Sequence, residues 1–414
     1  MFIDHLRFAG CVFMANNVKL FCKHLGLPFG SIASVHGWER MGELLVTMLR
    51  VVALCPALRY VDDFFGVSVE GVTLTGGLML RVLTALVGTL CDPDKSREFM
   101  VEMLILGADI MVDAAARSFA AQLSAKKAKI WRKELQEWKM MGVMPQGVAA
   151  QFAGRLSFSV TVAADRCGRA FLRPFYAQAH DPLQRSAISF WLGLCMDWWL
   201  CFLSQETIVW RSTRMDERQH IKMWSDASGE SRRLAALVLI RDEFYYTALT
   251  VPSVVWDSLI PRGDNQIGLQ ELMAVLLGTS TFKDEVQGAK LSSWIDNDGV
   301  LLSLLKGGNK ACDANVLIGK WWLEMARQKT AVELWRVESK ANPSDGPSRF
   351  RLDTMDKLGA HYVQPKLPRY VVDFWAPVNP QWQMSGGAVS EEETVTFCDE
   401  LDAKTSALLF QQVL

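Results

Sequence analysis

Two hydrophobic periods divide the chain. Residues 38–54 place apolar side chains at helical spacing and run into a short apolar segment, residues 57–61. Asp62 and Asp63 interrupt that segment, and a second apolar run continues to Val69. Apolar, two acids, apolar predicts a hairpin with carboxylates at its tip. Residues 113–141 and 151–175 read as two long helical stretches. At Ile221 the pattern changes. Residues 221–224 form a strand candidate ending at Ser225 and Asp226. Residues 234–240 and 243–250 give two more strands, split by Arg241 and Asp242 in turn position. A helix over 266–277, a strand over 291–295, helices over 298–306 and 315–327, and a strand over 332–337 complete the series. The order β-β-β-α-β-α-α-β predicts an α/β fold, a mixed sheet with helices packed on it.

Two segments are apolar enough to be tested as membrane spans. Residues 71–90 contain Arg81 and four glycines, and residues 188–203 contain Asp197 and are short for a bilayer. Both are expected to be buried helices, and no membrane partner is expected. The tryptophans of residues 191–199 read as part of such a helix, with a partner surface as the alternative. Past Arg349 the pattern weakens. Pro365, Pro368, Pro377 and Pro380 interrupt it, residues 385–387 read as a joint, and an acidic final segment follows, with one short helix expected over 405–413.

Composition narrows the class. The chain has 414 residues, 50% of them apolar, enough for several packed domains and too apolar for disorder. A net charge of −1 gives no global basic field, so nucleic-acid binding would rest on local patches. One lies between Arg117 and Lys139, with seven Lys/Arg against two Glu, Lys126, Lys127 and Lys129 among them. A solvated helix face is the plainer reading of that stretch. Arg155, Arg166, Arg169 and Arg173 follow downstream. The cysteines are scattered without a CxxC pair, which argues against structural zinc. Cys55, Cys91, Cys195 and Cys201 lie in apolar runs and read as buried thiols in a reducing intracellular compartment, cytoplasmic or nuclear.

Four acids occupy strand ends and helix starts: Asp226, Glu271, Asp296 and Asp345. Each has an ordinary alternative. Asp226 suits a turn, Glu271 an exposed helix face, and Asp296 and Asp345 helix caps. Brought together, four carboxylates repel unless cations lie between them, and hard oxygen donors suit Mg²⁺ or Mn²⁺. A two-metal site of this kind is fitted to phosphodiester hydrolysis.

These residues carry a resemblance. WSDASG (224–229), LQELMAV (269–275), WIDNDGV (294–300) and VESKANPSDGPSR (337–349) resemble the four acidic motifs of ribonuclease H domains in retroelement reverse transcriptases. The resemblance implies divalent-metal cleavage of the RNA strand of an RNA–DNA hybrid, with Asp226, Glu271, Asp296 and Asp345 as metal ligands and Asp298 as a weaker neighbour. The mobile His of many cellular members has no counterpart between His220 and His361, which implies slower turnover or another product-releasing group.

Upstream, YVDD at 60–63 resembles the polymerase motif in which two acids hold the catalytic metals, here Asp62 and Asp63. LPFGSIAS (27–34) resembles the loop-to-helix motif lining the template pocket, with Gly30 allowing close backbone approach. PDKS (93–96), ahead of Leu106 and Gly107, resembles the lysine motif and primer-grip hairpin. Lys95 is then a candidate general acid, or else a surface lysine in a turn. AGRLSF (153–158) and GRAFLRPFY (168–176) resemble the connection of DIRS-like and related retroelements. There the basic helices, with Lys126, Lys127, Lys129, Arg155, Arg169 and Arg173, would track the phosphates of a primer-template duplex. A third polymerase carboxylate is expected well upstream of residue 27. Asp4 is a poor match for it, so polymerase activity is expected to be lost or incomplete. The implied organisation is a truncated palm at 1–105, a helical thumb and connection at 106–220, a ribonuclease H-like domain at 221–350 and an extension at 351–414. Another nuclease or a strand transferase on the same fold, and an inert nucleic-acid-binding transposon remnant, are the alternatives.

Overall fold

The computed structural model describes residues 10–15, 18–23, 32–66, 74–89, 91–92, 96, 101–163, 166–204, 211–212, 218–251, 256, 266–368 and 370–371. The chain forms two compact units, Met1–Val101 and Glu102–Leu414. Gly30, Lys95, Asp4 and the helix expected over 405–413 lie outside the described residues.

In the first unit β1 (Gly10–Ala15) and β2 (Val18–Lys23) pair antiparallel, and α1 (Ile32–Val51) follows. β3 (Ala57–Tyr60) and β4 (Asp63–Gly66) form a second antiparallel hairpin, with Tyr60 opposite Asp63. α2 (Leu74–Leu86) lies within the apolar stretch expected to form a buried helix, but it buries Leu83 and Thr84 while Leu78, Val82 and Leu86 are exposed. Leu45, Leu49, Ala57 and Leu83 bury the small core that joins helices and hairpin. Among the described residues no helix is long and apolar enough to cross a membrane.

The second unit opens with a four-stranded sheet, β5 (Glu102–Ile105), β6 (Ala108–Asp113), β7 (Ser118–Leu123) and β8 (Arg211–Ser212), in sequential order. Residues 113–141 are therefore not one helix. Asp113 Oδ1 accepts the Ala116 N–H at 2.8 Å, which closes a turn. Pairing with β6 then overrides the helix propensity of the alanines, and α3 begins only at Ala125 (Ala125–Met141). The stretch 151–175 is also divided. α4 (Gln146–Ala163) ends early, Gly168 is left-handed at φ 82°, and a 3₁₀ turn (Arg169–Leu172) leads into α5 (Arg173–Ala179). α6 (Phe190–Phe202) buries Trp198 and Trp199, the latter donating its Nε1–H to the Phe171 carbonyl at 3.2 Å. Its tryptophans thus serve the core rather than an open partner surface. Cys195 is buried as expected, whereas Cys55, Cys91 and Cys201 are half-buried.

The six-stranded mixed sheet follows. β9 (His220–Ser228), β10 (Arg233–Ile240) and β11 (Glu243–Thr250) form an antiparallel meander. Arg241 and Asp242, both at positive φ, make the two-residue turn between β10 and β11 that matches strand twist. α7 (Ile267–Thr281) and the short α8 (Lys283–Val286) lead to β12 (Lys290–Ile295), which runs parallel to β9. α9 (Asp298–Lys306), α10 (Cys312–Arg327), β13 (Ala331–Arg336), α11 (Asp345–Ser348), α12 (Asp353–Leu358) and β14 (His361–Tyr362) complete the unit. Strand order is β13-β12-β9-β10-β11-β14. α7 is apolar on nearly every side and correspondingly buried. It lies so close to the sheet that a Cβ at Gly278 would meet Met223 Sδ at 2.5 Å and Ala236 Cβ at 3.0 Å. The sheet thus places the centre of β9 beside the end of β12 and under the start of α7.

Candidate metal centre

Three of the four predicted acids meet. Ligand atoms of Asp226, Glu271 and Asp296 all lie within 4.8 Å of one another. Asp226 comes from the central strand β9, Glu271 from the early part of α7, and Asp296 follows the last residue of β12. Parallel pairing of β9 and β12, with Ser225 opposite Ile295, brings the two aspartates to the same level of the sheet.

Local chemistry leaves these groups open. Asn297, not Asp296, caps α9, its side chain accepting the Val300 N–H at 3.1 Å. Asp296 is thereby spared a structural role. Asp298 is exposed and paired with Arg336 at 2.6 Å, which takes it away from the pocket. Glu271 is only 5% exposed, so it is not a solvated helix charge. It accepts the Ala227 backbone N–H, while its Oε2 and Asp296 Oδ1 are buried without a hydrogen-bond partner.

Electrostatics follow from this crowding. Burial is the main force pushing the Asp226 carboxyl up to about 7, with the Asp296 and Asp345 charges adding to it and the Ser348 hydrogen bond and Arg349 opposing it. Glu271 is pushed well above the usual carboxylate range, first by burial and then by the charges of Asp226 and Asp296. Buried acids that repel one another, with two oxygens lacking donors, are the donor set a hard divalent cation satisfies. The residues therefore fit Mg²⁺ or Mn²⁺.

Asp345 departs from the expected four-fold convergence. It opens α11 but is half-buried, bonded to Arg349 Nε and Arg351 Nη2, each at 2.6 Å. Its charge reaches Asp226, but its oxygens do not join the other three. Two other residues of the closing motif act instead. Ser348 Oγ donates to Asp226 Oδ2 at 2.5 Å, and Asn342 Nδ2 donates to the Ser225 carbonyl at 2.9 Å and to Asp226 Oδ1 at 3.4 Å. Both lie in the VESKANPSDGPSR motif, so the signal was present in the sequence but their roles were not. Arg351 lies beyond that pattern and carried no signal.

The other predicted residues are spread more widely. Asp62 and Asp63 are exposed at the β3–β4 tip, as the pattern predicted. Trp38 Nε1 donates to the Val61 carbonyl at 2.7 Å, and Arg59 pairs with Glu39 at 2.5 Å, tying the hairpin to α1. Among the described residues no third acid joins the pair. Lys126 and Lys129 are exposed on α3, and Lys127 sits over the Phe158 ring at 5.0 Å. Arg155 is held by Glu134 at 2.5 Å and packs over Trp131 and Phe152, so it is engaged within the unit. Arg169 and Arg173 are exposed.

No family model matches the chain, and no curated protein does. Among solved structures it is similar to a foamy viral protease-reverse transcriptase. One such structure, a form designated dRH in complex with double-stranded DNA, has 13% identity and a TM-score of 0.38, the match covering 79% of this chain and 53% of that one. The other, in complex with RNA/DNA hybrid, has 13% identity and a TM-score of 0.37, the match covering 79% and 41%. The chain thus spans about half the length of the structures to which it is similar.

Proposed function

We propose that the second unit is a divalent-metal nuclease of the ribonuclease H type, cutting the RNA strand of RNA–DNA hybrids. The observation that carries the reading is the convergence of Asp226, Glu271 and Asp296 with two buried carboxylate oxygens left without donors. Asp226, Glu271 and Asp296 would hold Mg²⁺ or Mn²⁺, with Asp345 near enough to influence Asp226 electrostatically. Bound there, such ions activate water and stabilise charge on the leaving oxygen. Ser348 and Asn342 orient the Asp226 carboxylate, and Ser348 favours its ionised form. Arg349 and Arg351 offset the Asp345 charge at the pocket edge.

Asp62 and Asp63 on their hairpin supply two carboxylates of a polymerase-type pair, and a partial RNA-directed DNA polymerase is the second component of the reading. AGRLSF and GRAFLRPFY favour a DIRS-like or related retroelement as its source.

The test offers the full chain an RNA–DNA hybrid and the matching DNA duplex with Mg²⁺. The expected outcome is cleavage of the RNA strand, abolished by chelator and by Asp226→Asn, with hybrid binding retained in the variant. Cleavage of DNA alone would favour another nuclease or strand transferase. Binding without cleavage would leave an inert remnant. Full activity in Asp226→Asn would remove the site assignment.

A further inference from the structure

Away from the acidic pocket, a groove of about 790 Å³ opens between α4, the 3₁₀ turn and α5 on one side and α9 with the start of α10 on the other. One wall is a face of α9, and the other is assembled from α4, the 3₁₀ turn and α5. Gly299, Leu302, Ser303 and Lys306 present one face of α9, and Arg169, Leu172, Arg173 and Tyr176 repeat the same spacing opposite. Lys310 lies at the end of the groove, beyond Gly307 and Gly308.

The lining is one-sided in charge. Arg169, Arg173, Lys306 and Lys310 are all exposed, and among the described residues no carboxylate lines the groove. Three other cations of this unit, by contrast, have acidic partners: Arg155 with Glu134, Lys139 with Asp197 and Arg336 with Asp298. Lys306 also complements the C-terminus of α9, but that role needs one cation and not four. Arg173 donates to the Asn309 carbonyl at 3.2 Å, which holds its guanidinium across the groove. Four cations facing one concavity repel one another and attract a polyanion.

The lining also has flat apolar surface. Tyr176 is 44% exposed, and its hydroxyl is fixed by Ser157 at 2.8 Å, leaving the ring as a positioned platform. Leu302 is exposed nearby. Cations along a groove with an aromatic face are the elements that hold single-stranded nucleic acid, phosphates on the cations and bases on the ring. In a duplex the bases are already stacked and paired and could not use Tyr176. The volume falls within the ~300–1,000 Å³ that encloses small ligands, which suits a short length of single strand.

We infer that this groove is a binding site for a single-stranded segment of nucleic acid, with Arg169, Arg173, Lys306 and Lys310 on its phosphates and Tyr176 stacked on a base. The inference rests on the reading of this unit as a nucleic-acid enzyme. It adds a site that begins at Gly299, three residues beyond Asp296, and runs along α9, about 13 Å long at 1.5 Å per residue. A strand held there would lead toward or away from the acidic pocket.

Binding is measured by fluorescence anisotropy with the full chain, a labelled single-stranded RNA of about ten nucleotides and divalent ions chelated, so that no cleavage is required. The double variant Lys306→Ala, Lys310→Ala is expected to weaken binding roughly tenfold and to flatten the dependence of log affinity on log salt by about 1.4, for two lost phosphate contacts. Tyr176→Ala should weaken it roughly fivefold or more without changing that slope, and Tyr176→Phe should restore it. All three positions are exposed, and unchanged circular dichroism melts would exclude misfolding. Unaltered affinity in the double variant would overturn the inference. So would equal competition by a blunt duplex of the same length or by poly-glutamate. Lysine-dependent binding by a protein that cuts no hybrid would sink the nuclease reading and leave this one standing.

Discussion

Neutralising Asp226 should make the metal-free protein more stable at neutral pH while removing its response to magnesium. The carboxyl is 3% exposed and its pKa rises from an ordinary 3.8 to about 7, chiefly by burial. At ~1.36 kcal/mol per pH unit, that rise corresponds to about 4 kcal/mol spent to keep the group ionised in the folded protein above pH 7. Asp226→Asn removes this cost. It also disturbs two accepted hydrogen bonds, from Ser348 and Asn342, each worth roughly 1 kcal/mol. A net gain of about 2–3 kcal/mol remains, a rise in melting temperature of roughly 3–5 °C for a unit of this size. The sign of the pH dependence follows. A carboxyl with a raised folded pKa contributes most below pH 4, progressively less up to about pH 7, and nothing further above it. Metal-free wild type should therefore lose stability between pH 4 and 7, and Asp226→Asn should lose less. Excess Mg²⁺ at a hundred times its dissociation constant should return about 2.7 kcal/mol to wild type and little to the variant. Thermal melts followed by near-UV circular dichroism would report this unit through the stacked pair Trp224 and Trp294, with centroids 5.0 Å apart. Equal wild-type and variant stability in chelator at pH 7.5 would refute the reasoning, as would equal stabilisation of both by magnesium.

Other consequences are as specific. Ser348→Ala removes the hydrogen bond that favours ionised Asp226, so the pH midpoint for Mn²⁺ binding should move upward by about one to two units, read by calorimetric titration across pH. Gly278→Ala should destabilise by about 1–2 kcal/mol in denaturant melts, because the new methyl meets Met223 and Ala236 and overcomes the gain in helix propensity. Gly154→Ala in α4, where a Cβ meets nothing within 4 Å, should do the opposite and stabilise by about 0.5–1 kcal/mol in the same assay. Asn297→Ala should cost about 1 kcal/mol through the lost cap of α9 and misplace Asp296, seen as weaker metal binding beside the stability loss.

What the sequence determined by itself was local. An aromatic-rich run after the Arg241–Asp242 turn set β11 at residues 243–250, and an apolar face between Asn297 and Gly307 set α9 at 298–306, since strand propensity, turn chemistry and capping act within a few residues. The adjacent acids at the β3–β4 tip were legible for the same reason. Tertiary structure decided whatever depended on a distant partner. Residues 118–123 carry helix-favouring alanines but become a strand because β6 offers a ladder beside them. Asp226, Glu271 and Asp296 become one pocket only through the parallel register of β9 with β12 and the close seat of α7 on the sheet. Asp345 was read from its motif as their equal, yet Arg349 and Arg351 draw its oxygens aside, and Ser348 and Asn342 from the same motif take up Asp226 instead. Four cations far apart in sequence share a groove because a face of α9 is packed opposite α4, the 3₁₀ turn and α5, an arrangement no local period encodes.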